Sequence, residues 1–172
     1  MAATHSLPDA LAGFICVTEV DAGRFFVEDL FQRKFASSPP DFGRHIVAFY
    51  KDSRGGFLPA SYLHLWTQGS IGLVGGGCTD GRVLRMMNDT QRRALTAEGG
   101  LLRQTLLYCF TQFATGLEAF FGHCGDARAK EVDLAAGFVE TEDPYLLVRW
   151  TQPLPAERRQ ALFAQAMAIG AF

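Results

Sequence analysis

His123, Cys124 and Asp126 stand within four positions of one another and form the chain's densest group of side chains able to move protons or attack a carbonyl. A cysteine beside a histidine suggests nucleophilic catalysis, with the imidazole taking the thiol proton. Leu117 to Cys124 (LEAFFGHC) reads as a strand, however, and neighbours on a strand project to opposite faces. The pair is then divided. Cys124 is expected in an apolar interior, where a free thiol behaves as a small apolar side chain, and His123 at the rim as a candidate general base.

Gly75-Gly76-Gly77, ahead of Cys78, has the outline of a phosphate cradle. No Gly-Lys-Ser/Thr and no helix follow it directly, so neither a P-loop nor a dinucleotide fingerprint is present. A bulge or bend in a strand is the expectation. His45, His64 and Glu19 are further candidate proton acceptors, and Glu140-Thr141-Glu142-Asp143 is expected to be a solvated turn that attracts cations. Cys16, Cys78, Cys109 and Cys124 show no CxxC pair and no histidine spacing suited to zinc, so no metal site is expected.

The elements that must hold these residues follow from periodicity. Phe14 to Val20 reads as a strand, and Phe26, Val27, Leu30, Phe31 and Phe35 recur at helical spacing over Arg24 to Phe35, with Asp21 as a candidate cap. Ser37-Ser38-Pro39-Pro40 ends that helix. His45 to Lys51 and Leu58 to Thr67 read as an antiparallel hairpin, the second strand turning Tyr62, His64 and Trp66 to one face and Leu63 and Leu65 to the other. Ile71 to Thr79 and Arg82 to Met87 read as a further hairpin across Asp80-Gly81. Asp89-Thr90 caps a short helix to Ala97, Gly99-Gly100 breaks it, and a helix follows from Leu101 to about Thr115 with Leu102, Leu106, Cys109, Phe110 and Phe113 inward. A helix from Asp126 or Ala127 to near Gly137, a strand at Tyr145 to Trp150 and a final helix from Pro155 to about Ile169 complete the order. A mixed sheet with helices on its faces accommodates it, and the closing strand, helix and strand predict a right-handed crossover.

Composition narrows the class. The 172 residues suit one domain, expected over 1–172, and the 15 phenylalanines predict aromatic core packing. A net charge of −2 without a basic stripe argues against nucleic acid as partner, and no apolar run approaches the roughly 20 residues of a membrane helix. Dispersed thiols and the absence of a basic and apolar leader point to the cytoplasm.

The run Asp126-Ala127-Arg128-Ala129-Lys130-Glu131-Val132-Asp133-Leu134-Ala135-Ala136-Gly137-Phe138 resembles the GNAT superfamily of acyl-CoA-dependent N-acyltransferases. That family often carries, after its fifth strand, an Asn, then Arg-Ala, a Tyr and a closing Gly-Phe; Arg128, Ala129, Gly137 and Phe138 stand at those places. Together with the element order, the resemblance covers about Phe14 to Trp150. It implies an α/β fold with a mixed, mostly antiparallel twisted sheet and helices on both faces. It further implies acetyl-CoA or another acyl-CoA in a V-shaped opening between two parallel strands, where Gly75 to Gly77 would admit an acyl chain or pantetheine arm. A small-molecule or peptide amine would attack the thioester directly; a homodimer is left open.

Two departures stand out. Asp133 occupies the place of the general-acid Tyr, and Asp126 that of the Asn. An aspartate is ionised near neutrality unless burial raises its pKa. The counterpart of the family's pyrophosphate loop is Thr96-Ala97-Glu98-Gly99-Gly100-Leu101, without the leading Gln/Arg and with Leu101 where a small residue belongs. The resemblance therefore assigns Gly99, Gly100, Leu101, Arg103 and Arg128 to the cofactor, His123 as base and Asp133 as acid. The alternative is a GNAT-like binding or dimerisation module that has lost catalysis.

Overall fold

Alternation of β-branched and aromatic residues makes β1 (Ile15–Val20), β2 (Arg44–Lys51), β3 (Phe57–Gln68) and β4 (Ile71–Thr79), each paired antiparallel with the next. The structure, a computed structural model describing residues 6–172, continues with α3 (Gly81–Met86), α4 (Asp89–Ala97) and α5 (Leu101–Phe113), and then β5 (Ala119–His123) beside β4. α6 (Ala127–Ala135), β6 (Val139–Glu140), β7 (Leu146–Trp150) and α7 (Ala156–Ile169) follow; α1 (Asp9–Ala12) precedes β1, and α2 (Gly23–Phe35) joins β1 to β2. The seven strands form one mixed sheet in the order β1-β2-β3-β4-β5-β7-β6, with β4 and β5 its parallel pair.

Helices cover both faces, as the period-2 pattern of the strands requires. On one face Leu63, Leu65 and Phe120 pack with Leu106, Cys109 and Phe110 of α5. On the other, Tyr62 and Val47 pack with Val27, Leu30 and Phe31 of α2, while Leu73 and Phe121 pack with Leu162 and Ala166 of α7. Phe120 and Phe121, both fully buried, face opposite cores: the first meets Phe110 at 5.0 Å between ring centroids and the second Trp150 at 6.1 Å. Each contributes roughly 1.5–3 kcal/mol of burial and together they hold β5 in register.

Several expectations give way. Residues 81–86 are helix, not the second arm of a hairpin, because Asp80 accepts the Arg82 amide at 2.8 Å and so starts a helix. Asp before Gly serves a turn or an N-cap equally, and the choice depends on what lies beyond. Asp21 does not cap α2, whose N-cap is Ala22 without a side-chain bond; the helix instead begins at Gly23, where a Cβ would collide with the His45 ring. The crossover expected at the end of the chain is absent, since β5 and β7 run antiparallel and the parallel connection is made earlier, through α3, α4 and α5. The buried stripe of α5 is also turned by about one residue: Leu101, Gln104 and Thr105 join Leu106, Cys109 and Phe110 inside, and Leu102 is only half-buried. Among the described residues, no helix is long and apolar enough to cross a membrane.

Candidate functional site

β4 and β5 pair from Ile71 with Ala119 to Val74 with Gly122, and then separate. Beyond that point β4 stays with β3 as far as Thr79, while β5 stays with β7, the Cys124 amide reaching the Tyr145 carbonyl at 2.8 Å. The triglycine produces the divergence. Gly75 lies opposite His64 and Cys78 opposite Tyr62, so β4 spends one residue more than β3 over the same step. Gly76 takes φ of +61°, a left-handed conformation that suits glycine, and the extra residue bends the strand. The bend expected from the sequence is therefore the place where the sheet opens.

The opening leads to a cavity of about 620 Å³ on the α5 side, bordered by Gly76, Gly77, Gly99, Gly100, Leu102 and Arg128. A crevice of about 60 Å³ continues between the strands, with Gly75 and Gly122 on its walls and Cys124 and Asp133 at its side.

The cavity's anion-binding end differs in detail from the sequence expectation. Gly99 (φ +83°) closes α4: its amide donates to Thr96 O at 3.1 Å and the Gly100 amide to Leu95 O at 2.9 Å, the paired bonds of a Schellman stop. Both glycine amides are thus spent. The amides of Leu101, Leu102 and Arg103, in the first turn of α5, carry no hydrogen bond among the described residues and stand at the positive end of a 13-residue helix. The Arg103 side chain folds back over Gly99, donating to Glu98 O at 3.1 Å and Ala135 O at 3.3 Å. It ties α4 to α6 and does not border the cavity. Arg128 borders it and is exposed, as does Lys34 at the end of α2; neither has an ion-pair partner among the described residues.

His123 and Cys124 leave β5 on opposite faces, as strand alternation demands. His123 lies on the α7 side, stacked on Tyr145 at 6.1 Å and meeting the Phe172 ring edge-on at 6.0 Å. Cys124 lies on the α6 side, buried, its thiol donating to Asp126 O at 3.3 Å, and Asp133 borders the same crevice. Burial pushes the Asp133 carboxyl up to about 6, which leaves both protonation states populated near neutrality. Asp126 caps α6, accepting the Ala129 amide at 2.9 Å, and that bond holds its carboxyl below the usual range.

The fold is GNAT-like. A meander of four strands, a parallel fifth that parts from the fourth and an antiparallel closing pair reproduce the arrangement implied by the resemblance. No protein-family model matches the chain, and no curated protein matches it in sequence. Among solved structures it is similar to a spermidine N-acetyltransferase chimera of Vibrio cholerae SpeG and hSSAT, at 13% identity and a TM-score of 0.47 over 79% of this chain and 95% of that one. It is also similar to N-acetylglutamate synthase from Neisseria gonorrhoeae, solved with coenzyme A and L-arginine (12% identity, TM-score 0.47, 81% of this chain), of which it spans only 34%. A third is FdhC, described as a nucleotide-linked sugar GNAT (12% identity, TM-score 0.45, 90% and 93% of the two chains).

The remaining sequence candidates lie elsewhere. His45 is buried with Nδ1 2.8 Å from Tyr62 Oη, His64 has Nε2 2.7 Å from Phe42 O, and Glu19 pairs with Arg44 at 2.8 Å. Burial lowers the pKa of both histidines, so they are neutral packing groups. Glu140 pairs with Lys130 at 2.7 Å, and Asp143 accepts the Tyr145 and Leu146 amides, closing the acidic turn. Sequence reasoning missed Lys34 and Phe172. Both reach the opening from the ends of helices far away in the chain, and no local pattern marks them.

Proposed function

We propose that the chain is an acyl-CoA-dependent N-acyltransferase, taking acetyl-CoA or another acyl-CoA as donor and a small-molecule or peptide amine as acceptor. The observation that carries this reading is the parted sheet, with Asp133 beside the opening on one face and His123 on the other. Donor phosphates fit the α5 end of the cavity, where uncapped amides, Lys34 and Arg128 supply positive potential to an anion. The pantetheine arm fits the glycine-walled crevice, where β4 has no side chains at Gly75, Gly76 and Gly77 to block it.

In this arrangement the thioester lies between the two faces. His123 takes the proton of an amine approaching from the α7 side, and Asp133 exchanges a proton with sulfur on the α6 side. A carboxyl with a pKa of about 6 does both halves of that exchange near neutrality. Binding in the opening supplies the proximity on which such a transfer depends.

Calorimetric titration with coenzyme A and acetyl-CoA, followed by thiol release from acetyl-CoA over a panel of amines, tests the reading. Saturable heat and amine-dependent release are expected; no heat at millimolar ligand would overturn it. One observation favours a second reading, a module that binds acyl-CoA without turnover: Phe172 lies against Gly75, its carbonyl oxygen 2.8 Å from where a Cβ would stand, and so covers the amine side of the opening. That reading expects heat without thiol release.

A further inference from the structure

Beyond Val74 and Gly122, where β4 and β5 separate, Phe172 bridges the two strands on the α7 side. Its carbonyl oxygen lies 2.8 Å from where a Cβ on Gly75 of β4 would stand, and its ring meets that of His123 on β5 edge-on at 6.0 Å. The ring is half-buried and packs against the core that holds Leu73, Phe121 and Ala166. One residue thus touches both sides of the split. Beside it a pocket of about 190 Å³ remains, bordered by His123, Asp143, Met167, Gly170 and Ala171. That is less than the roughly 300 Å³ at which ordinary small-molecule sites begin. The donor cavity, which the same histidine borders, has about 620 Å³.

The segment that carries Phe172 is lightly held. α7 stops at Ile169, and Gly170 turns the chain at φ +83° and ψ −157°, a conformation essentially restricted to glycine. The Gly170 amide donates to Met167 O at 3.2 Å, whereas Ala171 and Phe172 form no backbone hydrogen bond among the described residues. A segment fixed by ring contacts and a glycine hinge opens locally at low free-energy cost.

Resting on the acyltransferase reading, we infer that residues 170–172 form an autoinhibitory strap: Phe172 plugs the amine side of the opening, and the acceptor reaches the thioester when the strap swings away about Gly170. The amine still attacks the thioester directly. Donor binding does not require the movement, because the donor cavity lies on the α5 side. A strap that is mostly closed lowers the acceptor's apparent affinity by the open fraction, so the device is read in the KM for amine and not in donor affinity.

The test uses the full chain and two variants that open the strap by different means. Phe172→Ala removes the plug. Gly170→Ala keeps Phe172 but puts a side chain where the closed conformation admits essentially glycine. Thermal unfolding confirms that each variant is folded, and calorimetry with coenzyme A should give the parent Kd in both. Thiol release from acetyl-CoA is then followed with primary amines from methylamine to phenethylamine. The KM for amine should fall about tenfold in Phe172→Ala and about fivefold in Gly170→Ala, with kcat moving less than twofold. A KM unchanged or raised in either variant overturns the strap and makes Phe172 a packing residue or part of the acceptor's seat, leaving the acyltransferase reading in place. If the parent binds coenzyme A without turnover, release that appears in the variants upholds the strap, and silence in both overturns it. Failure of the parent to bind coenzyme A removes the acyltransferase reading and the strap with it.

Discussion

The Gly99 amide is bonded to the Thr96 carbonyl at 3.1 Å, so a glycine assigned by the resemblance to the cofactor has its amide spent on the stop of α4. The phosphate-binding capacity of this corner passes to the next three amides, which are aimed by that stop. A Cβ at Gly99 would stand 2.5 Å from Arg103 Cδ, in a backbone conformation at φ +83° that side chains rarely adopt. Gly99→Ala should therefore cost about 1–3 kcal/mol and lower the Tm by several degrees. Thermal unfolding followed by circular dichroism measures it, and an unchanged Tm would remove the helix-stop role.

Lys34 and Arg128 approach the cavity from α2 and α6, and their charges also act on the Asp126 carboxylate at its border. Reversing either charge, Lys34→Glu or Arg128→Glu, should weaken coenzyme A binding about tenfold, near 1.4 kcal/mol. Pantetheine, which has no phosphate, should bind each variant as it binds the parent. Equal losses for both ligands would show that the cations do not face the phosphates.

His123 and Cys124 leave β5 on opposite faces, and both border the cavity and the crevice where the strands part. His123→Ala should lower amine acylation about 10²- to 10⁴-fold and leave coenzyme A affinity unchanged. A variant that loses donor binding together with turnover would place His123 in the wrong half of the reaction.

Asp133 links the site to stability. Its carboxyl rises from 3.8 when unburied to about 6 in the folded chain, so between those values the native state binds more protons than the unfolded one. Stability then falls as pH rises from about 4 to 6 and stays reduced above that range. Asp133→Asn removes the buried charge and should raise stability by roughly 1–2 kcal/mol at pH 7–8, with the gain vanishing near pH 3. Urea denaturation at the two pH values checks this; an equal effect at both would exclude burial of the charge as its cause.

Much of the frame was legible in the residues. LEAFFGHC gave both the strand and the division of His123 from Cys124, since alternation is a local property of extended backbone. Gly137-Phe138 marked the close of α6 for an equally local reason: Gly137 sits at φ +103° against the Arg149 guanidinium, which itself lies 4.8 Å above the Phe110 ring. Asp80-Gly81 was misread because the same dipeptide serves two structures, and the helix to Met86 was settled by packing of Val83 and Met87 into the α5-side core.

The amino-acid order by itself determined where the backbone bends, stops and alternates, because those choices depend on side chains within a few residues: the triglycine bulge in β4, the glycine stop after Ala97 and the opposed faces of β5. Tertiary structure alone decided that β4 and β5 part at Val74, that Lys34 and Arg128 border one cavity, and that Asp133 lies half-buried on the same crevice as Cys124. The physical reason is distance along the chain. A strand pair about forty residues apart, and a pKa set by desolvation, depend on which surfaces meet after packing, and no short stretch of sequence carries that information.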